Sequence, residues 1–293
     1  MRKIYEYLFT YLHFYANLCI LVLIIHKRPT RKEQTMKKTL ALTAASALTL
    51  TLAACGSGAS KDESGLKLTQ AGKLTVCTNS PYAPFEYEEN GKIVGLDADI
   101  ASAIAKELGL EASMLSVSFE GIESGVALSS GQCDIALAGI SVTPERSSVM
   151  TFSDVYFKDN LAILVPAGSN IKSPEDLAGK KVGVQQATSG EDYAQKADAE
   201  VIQYEDYGLI QQAIQTGQIE AVVGNLSVLS QMLTSDSSLS VAAEIESGEE
   251  IAAAVAQDQT QILEAANKTI KAMQEDGRMT QLQEKYIGAA QQK

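Results

Sequence analysis

Apolar residues are arranged along this chain in two unlike ways. Before residue 66 they form two long, mainly apolar runs, 7–25 and 39–52. The basic, polar HKRPTRKEQT lies between them. Beyond residue 66, short apolar runs of strand type alternate with segments of helical period. Residues 74–78 read as a strand. Gly95 and Leu96 then lead into a helix with Ile100, Ile104 and Leu108 on one face, Asp97 as its N-cap and Gly109 as its stop. A second helical stretch over 121–130 stops at Gly131, and a buried strand over 134–138 follows. The pattern returns as a strand over 181–184, a helix over 206–216 stopped by Gly217, and a strand over 220–223. GQCDIALAG at 131–139 is echoed by GQIEAVVGN at 217–225. A strand over 251–255 precedes a helix carrying Ile262, Ala266, Ile270 and Met273, which ends at Gly277. A shorter helix over 279–286 closes the pattern.

Strands alternating with helices predict an α/β protein with parallel, doubly wound sheets. Two similar units place strand C-terminal ends at a shared crevice, where open α/β sheets bind ligands. The boundaries follow: lobe 1 over 70–156 plus 251–293, lobe 2 over 157–250, and two crossings near 154–160 and 248–252. Such crossings form a hinge suited to closing on a ligand.

The two early runs differ in kind. Met36-Lys37-Lys38 begins a positive segment, the run after it has signal-peptide length, and it closes on Leu52-Ala53-Ala54-Cys55. That tetrad resembles a bacterial lipobox. The resemblance implies cleavage before Cys55 and a diacylglycerol on its sulfur. Residues 36–54 are then a lipoprotein signal peptide, and 1–35 an extension that is non-native or never translated. Residues 55–69, with their small polar GSGASKDESG, form a tether. These readings place the folded part outside the cytoplasm, held to the membrane by its lipid.

Removing the leader changes the charge picture. The whole chain carries −12, from 24 Lys+Arg and 36 Asp+Glu. Residues 1–54 hold eight of those basic residues but only Glu6 and Glu33, so the remainder carries −18. His13 and His26 leave with the leader, and the chain has no Trp. Imidazole bases, His metal ligands and Ser-His-Asp triads are thereby excluded from the remainder. The acidity argues against a nucleic-acid partner.

The stretch LTVCTNSPYAPFEYEENGKIVGLDADIASAIAKELG at 74–109 resembles the opening of bacterial extracellular solute-binding proteins of the polar-amino-acid type. So do SVTPER at 141–146 and the Phe152-Ser153 that follows. The resemblance implies a two-lobed periplasmic-binding-protein-like fold, two doubly wound sheets joined by two hinge strands. It also implies a monomeric receptor that delivers a free amino acid to the permease subunits of an ABC importer, without catalysis or cofactor. An enzyme on the same scaffold, similar to cyclohexadienyl dehydratases, is the second reading. It would need a placed acid or base that nothing here singles out. A sensor's input domain ranks third, since only seven residues follow Tyr286.

A zwitterionic ligand needs a fixed cation and a set of acceptors. Thr143 and Pro144 read as N-cap and N1 of a helix, putting Arg146 in its first turn, where a cation opposes the helix dipole. It makes sense facing a carboxylate, which guanidinium pairs in bidentate fashion. Ala138, Gly139 and Ser141 are small neighbours whose backbone and hydroxyl groups match ligand-bonding positions of the family. Thr188 and Ser189 open a capping-box pattern whose free N–H groups form an anion site. Tyr82, Phe85 and Phe119 match aromatic positions that flank a ligand side chain.

Asn225 is the main departure, because the family usually has Asp there for the α-ammonium. Either affinity is lower, a nearby carboxylate substitutes, or the ligand is not an ordinary α-amino acid. Asn79 stands where binders of cationic amino acids often have Asp, which leans away from lysine and arginine, although Glu86 and Glu120 supply negative charge. Cys77 and Cys133 fall three to four residues out of register on neighbouring parallel strands. Extended geometry puts them about 10–13 Å apart, beyond the ~7 Å limit for a bridge. Two free, buried thiols and no metal site are expected.

Overall fold

The computed structural model describes residues 66–288. The leader, Cys55 and the tether up to residue 65 lie outside the described residues, while residues 66–69, expected to belong to the tether, pack on the fold: Leu66 and Leu68 are buried and Thr69 donates to Asp134. Strand β1 (Lys73–Thr78) runs parallel to β4 (Glu111–Ser116) on one side and β5 (Ile135–Ala136) on the other. Between β1 and β4 come the hairpin β2 (Tyr87–Glu89) and β3 (Lys92–Val94), then helix α1 (Leu96–Glu107). Asn90 and Gly91 both have positive φ at the hairpin turn, the conformation that Asn-Gly pairs supply. Helix α1 buries Leu96, Ile100 and Ile104 on the sheet, as its period predicts.

The N-terminus of α1 departs from expectation. Gly95, not Asp97, is the N-cap, with φ of 132°. A Cβ there would lie 2.2 Å from the Phe85 carbonyl oxygen, so this crossing needs glycine. Asp97 sits inside the helix, fully buried, where its carboxylate accepts the Gly139 N–H at 2.8 Å and the Tyr156 hydroxyl at 2.7 Å.

Two short helices, α2 (Phe119–Glu123) and α3 (Val126–Ser129), replace the single helix expected over 121–130. Gly125, at φ 73°, breaks the run. After β5 comes the one-turn α4 (Pro144–Ser147), with Thr143 as N-cap and Pro144 at its first position. Two long strands then dominate: β6 (Thr151–Pro166) and β10 (Leu239–Val255) pair antiparallel along most of their length. Between them lie β7 (Lys181–Gln185), α5 (Ser189–Lys196), β8 (Glu200–Tyr204), α6 (Tyr207–Gln215), β9 (Ala221–Asn225) and α7 (Leu226–Ser235). Helices α8 (Thr260–Glu275) and α9 (Arg278–Tyr286) follow β10, and α8 packs on α1 and β6.

The sheet order is β4-β1-β5-β10-β6-β9-β7-β8. A parallel group of βα units thus stands at each end, with β10 and β6 as the antiparallel centre. Backbone pairing crosses that centre with several register shifts, the largest between Ile245 and Glu249. Two of the three core clusters correspond to the ends, one around Cys77, Ala136 and Ile140 and one around Ile163, Val184 and Val223. The largest runs under α1, α6 and α8.

The expectation of free thiols is overturned. Cys77 and Cys133 form a disulfide, with Cα atoms 5.6 Å apart. The register is as supposed, since Cys77 stands opposite Ala136. The extended geometry is not. Strand β5 begins only at Ile135, while Asp134 N–H donates to the Thr75 carbonyl at 2.8 Å and its carboxylate accepts the Thr75 and Thr69 N–H groups. The chain therefore turns at Cys133 and folds back toward β1. Extended spacing overestimates the separation.

Among the described residues, no helix is long and apolar enough to cross a membrane. Nor does any group of three or more His, Cys, Asp or Glu stand ready to hold a metal ion.

Candidate ligand-binding site

Arg146 lies where the two ends of the sheet meet. Thr143 caps its one-turn helix by accepting the Arg146 N–H at 3.2 Å, and this turns the side chain inward. Arg146 is 5% exposed. Its Nη1 donates to the Ser141 carbonyl and its Nη2 to the Ala187 carbonyl, both at 2.9 Å. Nε is 3.9 Å from a Glu123 carboxylate oxygen, and the Phe119 ring lies under the group at 5.2 Å, in cation–π range. Burial lowers the pKa of Arg146, while Glu123 and Glu249 act to raise it. A guanidinium remains charged under such opposed shifts.

Serine hydroxyls flank this cation from both ends of the sheet. Ser141 and Ser189 each donate to the same oxygen of Glu249, the latter at 2.9 Å. Thr188 caps α5 as expected, accepting the Glu191 N–H at 3.3 Å while its hydroxyl donates to the Gln185 carbonyl at 2.7 Å. The capping box is shifted by one residue, because Glu191 reaches the Ala187 N–H rather than that of Thr188.

Other sequence-predicted residues join the same junction. The Tyr82 hydroxyl donates to Asn225 Oδ1 at 2.6 Å, across 143 positions of chain. Asn79 accepts from Gln185 Nε2 at 2.6 Å and donates to the Val117 carbonyl at 2.7 Å, so its amide is engaged on both sides. Gly139 has φ of 54°, and a Cβ there would fall 2.5 Å from the Tyr82 ring. Its smallness is what lets Tyr82 lie flat beside it. Ala138 is buried beside Gly139. Phe85 is wholly buried behind Tyr82, with ring centroids 5.7 Å apart, and meets Phe157 edge-on. It supports Tyr82 from the core rather than facing the junction.

Several residues here carry no label in the sequence reading. Tyr207 packs edge-on against Tyr82 at 5.2 Å. Asp159, on β6, accepts the Ser227 hydroxyl at 2.5 Å. Burial pushes the Asp159 carboxyl up to about 6, with Ser227 opposing and Glu249 adding to the rise. Glu249 stands directly opposite Asp159 on β10. The only sequence signal for these two was their place in the expected crossings.

The chain has known relatives. Residues 74–289 match the model of the bacterial extracellular solute-binding proteins, family 3. The arginine-binding extracellular protein ArtP of Bacillus subtilis is 33% identical over 86% of this chain and 98% of its own. The L-cystine-binding protein TcyJ of Escherichia coli is 31% identical over 76% of this chain and 85% of its own. Among solved structures, an ancestral arginine-binding protein bound to arginine superposes with a TM-score of 0.70. It is 36% identical and covers 73% of this chain and 98% of its own. The matched segment runs from the second residue of β1 past the end of α9, and the two-lobed fold is that of these relatives. The chain belongs to family 3 of the bacterial extracellular solute-binding proteins.

Proposed function

We propose that this protein is the amino-acid receptor of an ABC importer, anchored by a lipid on Cys55, which captures a polar amino acid by closing two lobes about a hinge. The lobes are 70–156 with 251–293, and 157–250. The observation that carries the reading is Arg146: a buried guanidinium between Phe119 and two carbonyls, flanked by Ser141 and Ser189 from opposite ends of the sheet. A carboxylate arriving there exchanges with the carbonyls for a charge-assisted, bidentate pair. Phe119 and Tyr82 give the ligand side chain apolar faces. Strands β6 and β10 are the stretches that pass between lobes, and their bends near Asp159 and Glu249 supply the hinge.

The relatives' names give the ligands to try first: arginine and cystine. Arginine belongs in that set despite Asn79, whose amide is already bonded to Gln185 and Val117.

The reading is tested by thermal shift against the standard amino acids, ornithine and cystine. Saturation at about 100 times Kd adds roughly 2.7 kcal/mol of stability. Arg146→Ala is expected to abolish the shift while the ligand-free protein still folds. A wild-type protein that responds to none of these compounds would overturn the amino-acid reading. The anchor is tested separately: Cys55→Ala moves the protein from the membrane fraction to the soluble one.

A further inference from the structure

Residue 225 is where a binder of this kind is expected to hold the ligand's α-ammonium, and here it is Asn. Its amide is spoken for on one side only. Oδ1 accepts the Tyr82 hydroxyl, while Nδ2 is buried with no hydrogen-bond partner, in a residue 5% exposed. A free N–H presents a donor. It suits an acceptor atom of a ligand and repels an ammonium. The acceptor for a cation must then come from elsewhere.

The register of the two central strands supplies one. On antiparallel neighbours, residues directly opposite share a face, and like charges there destabilise the pair. Lys158 stands opposite Glu250, and these form a 3.1 Å ion pair on the exposed face. One residue further along each strand, on the other face, Asp159 stands opposite Glu249. Two carboxylates thus oppose each other, one of them buried. Among the described residues no Lys or Arg forms an ion pair with either. Arg146 acts on Glu249 electrostatically, but its N–H groups are directed to Ser141, Ala187 and Glu123. Asn225 is opposite Leu161, two residues from Asp159, and Ser227 ties α7 to Asp159. The orphaned amide and the acidic pair therefore share one wall.

We propose that Asp159 and Glu249, on the two central strands, receive the α-ammonium of the ligand in place of residue 225. This rests on the receptor reading above. The stereochemistry of an α-amino acid fits it, since carboxylate and ammonium are separated by a single carbon. Ser141 and Ser189, the hydroxyls beside Arg146, both donate to Glu249. On binding, these hydroxyls turn to the ligand carboxylate, and Glu249 accepts from the ammonium in return. Hydrogen bonds are exchanged rather than lost. The Asn225 N–H meets an acceptor of the ligand.

The test uses isothermal titration with whichever amino acid of the screening panel the wild-type protein binds, applied to Asp159→Asn, Glu249→Gln and Asn225→Ala. Each of the first two is expected to raise Kd ten-fold or more, and more than Asn225→Ala does. The melting temperature of the ligand-free protein provides the control for a structural role. Relief of repulsion between the opposed carboxylates offsets the hydrogen bonds each variant gives up, at Ser227 and Asn160 or at Ser141 and Ser189, so both variants should melt near the wild-type temperature. Kd within two-fold of wild type in both variants would overturn the proposal, as would weakened binding that tracks a lowered ligand-free melting temperature. If binding requires Arg146 but ignores Asp159 and Glu249, this inference alone fails. If the wild type binds no amino acid, the receptor reading fails and takes the inference with it.

Discussion

Arg146 shows how little of a binding residue's behaviour lies in the residue itself. Its charge is ordinary; its setting is not. One turn of helix aims it, an aromatic ring backs it, and two carbonyls hold it where burial would otherwise penalise a cation. The SVTPER motif drew attention to Arg146 and Ser141 in the sequence, because a first-turn Arg behind Thr-Pro has few structural uses, whereas Phe119 entered only through the family resemblance. Glu249 and Asp159 were not legible, since their meaning lies in strand register, which no local pattern encodes. The cysteines show the same limit. Cys77 and Cys133 are 56 positions apart, and a turn at residue 133 brings them together. Closing a loop of that size contributes about 2–4 kcal/mol by constraining the unfolded chain. Reduction, or replacement of both cysteines by Ala, should therefore lower the melting temperature. Intact-mass measurement after alkylation in denaturant without reductant should find neither Cys77 nor Cys133 modified; alkylation at both would refute the bridge.

At the scale of elements, the N-terminus of α1 joins four segments through two carboxylates. Asp97 accepts from Gly139 and Tyr156, while Glu86 accepts the Asn79 N–H at 3.2 Å and keeps its other oxygen buried without a partner. Burial raises both: Asp97 to about 6, and Glu86, which also feels Asp97, well above its ordinary 4.5. A group whose folded pKa is raised holds its proton more tightly in the native state. Its stabilising contribution is whole below the unfolded value and declines as pH rises through the folded one. Stability should thus fall from about pH 4.5 through neutrality, by at most about 1.4 kcal/mol per pH unit for each proton held. Glu86→Gln removes one titration. Urea melts of the variant should show a flatter pH profile and higher stability than wild type at pH 7.5; parallel profiles would refute the assignment. Helix α1 itself was plain from its period, and so were β1, β7 and α8. The long strands were not. Only residues 251–255 of β10 are buried without interruption, and the rest alternates between half-buried and exposed, with polar residues on an accessible edge. The β2–β3 hairpin carried its Asn90-Gly91 signal in plain view.

For the whole molecule, the two ends of the sheet touch through few groups. Among these contacts, Tyr82 bonds Asn225, Arg146 bonds Ala187, Gln185 bonds Asn79 and Gln186 bonds Glu120. If the lobes open and close, these contacts belong to the closed form, and a ligand that binds only that form has its apparent affinity reduced by the closed fraction. Gln185 separates this effect from direct recognition. It is 1% exposed and reaches Asn79 at 2.6 Å and the Glu205 carbonyl at 3.2 Å, without belonging to the proposed ligand contacts. A neutral hydrogen bond contributes about 1 kcal/mol net, so its loss shifts an opening equilibrium by a factor of about five. Where the ligand-free protein is mostly open, Gln185→Ala should weaken binding by that factor, because the closed fraction falls in proportion. Where it is mostly closed, the closed fraction is near one and affinity changes less, but small-angle scattering should then show the ligand-free variant expanded relative to wild type. In both cases the saturated variant should scatter as the saturated wild type does, since closure is completed by ligand. A variant unchanged in affinity and in ligand-free scattering would mean that Gln185 does not join the lobes. Closure would then rest on the other cross-contacts, among them Tyr82 with Asn225, Arg146 with Ala187 and Gln186 with Glu120.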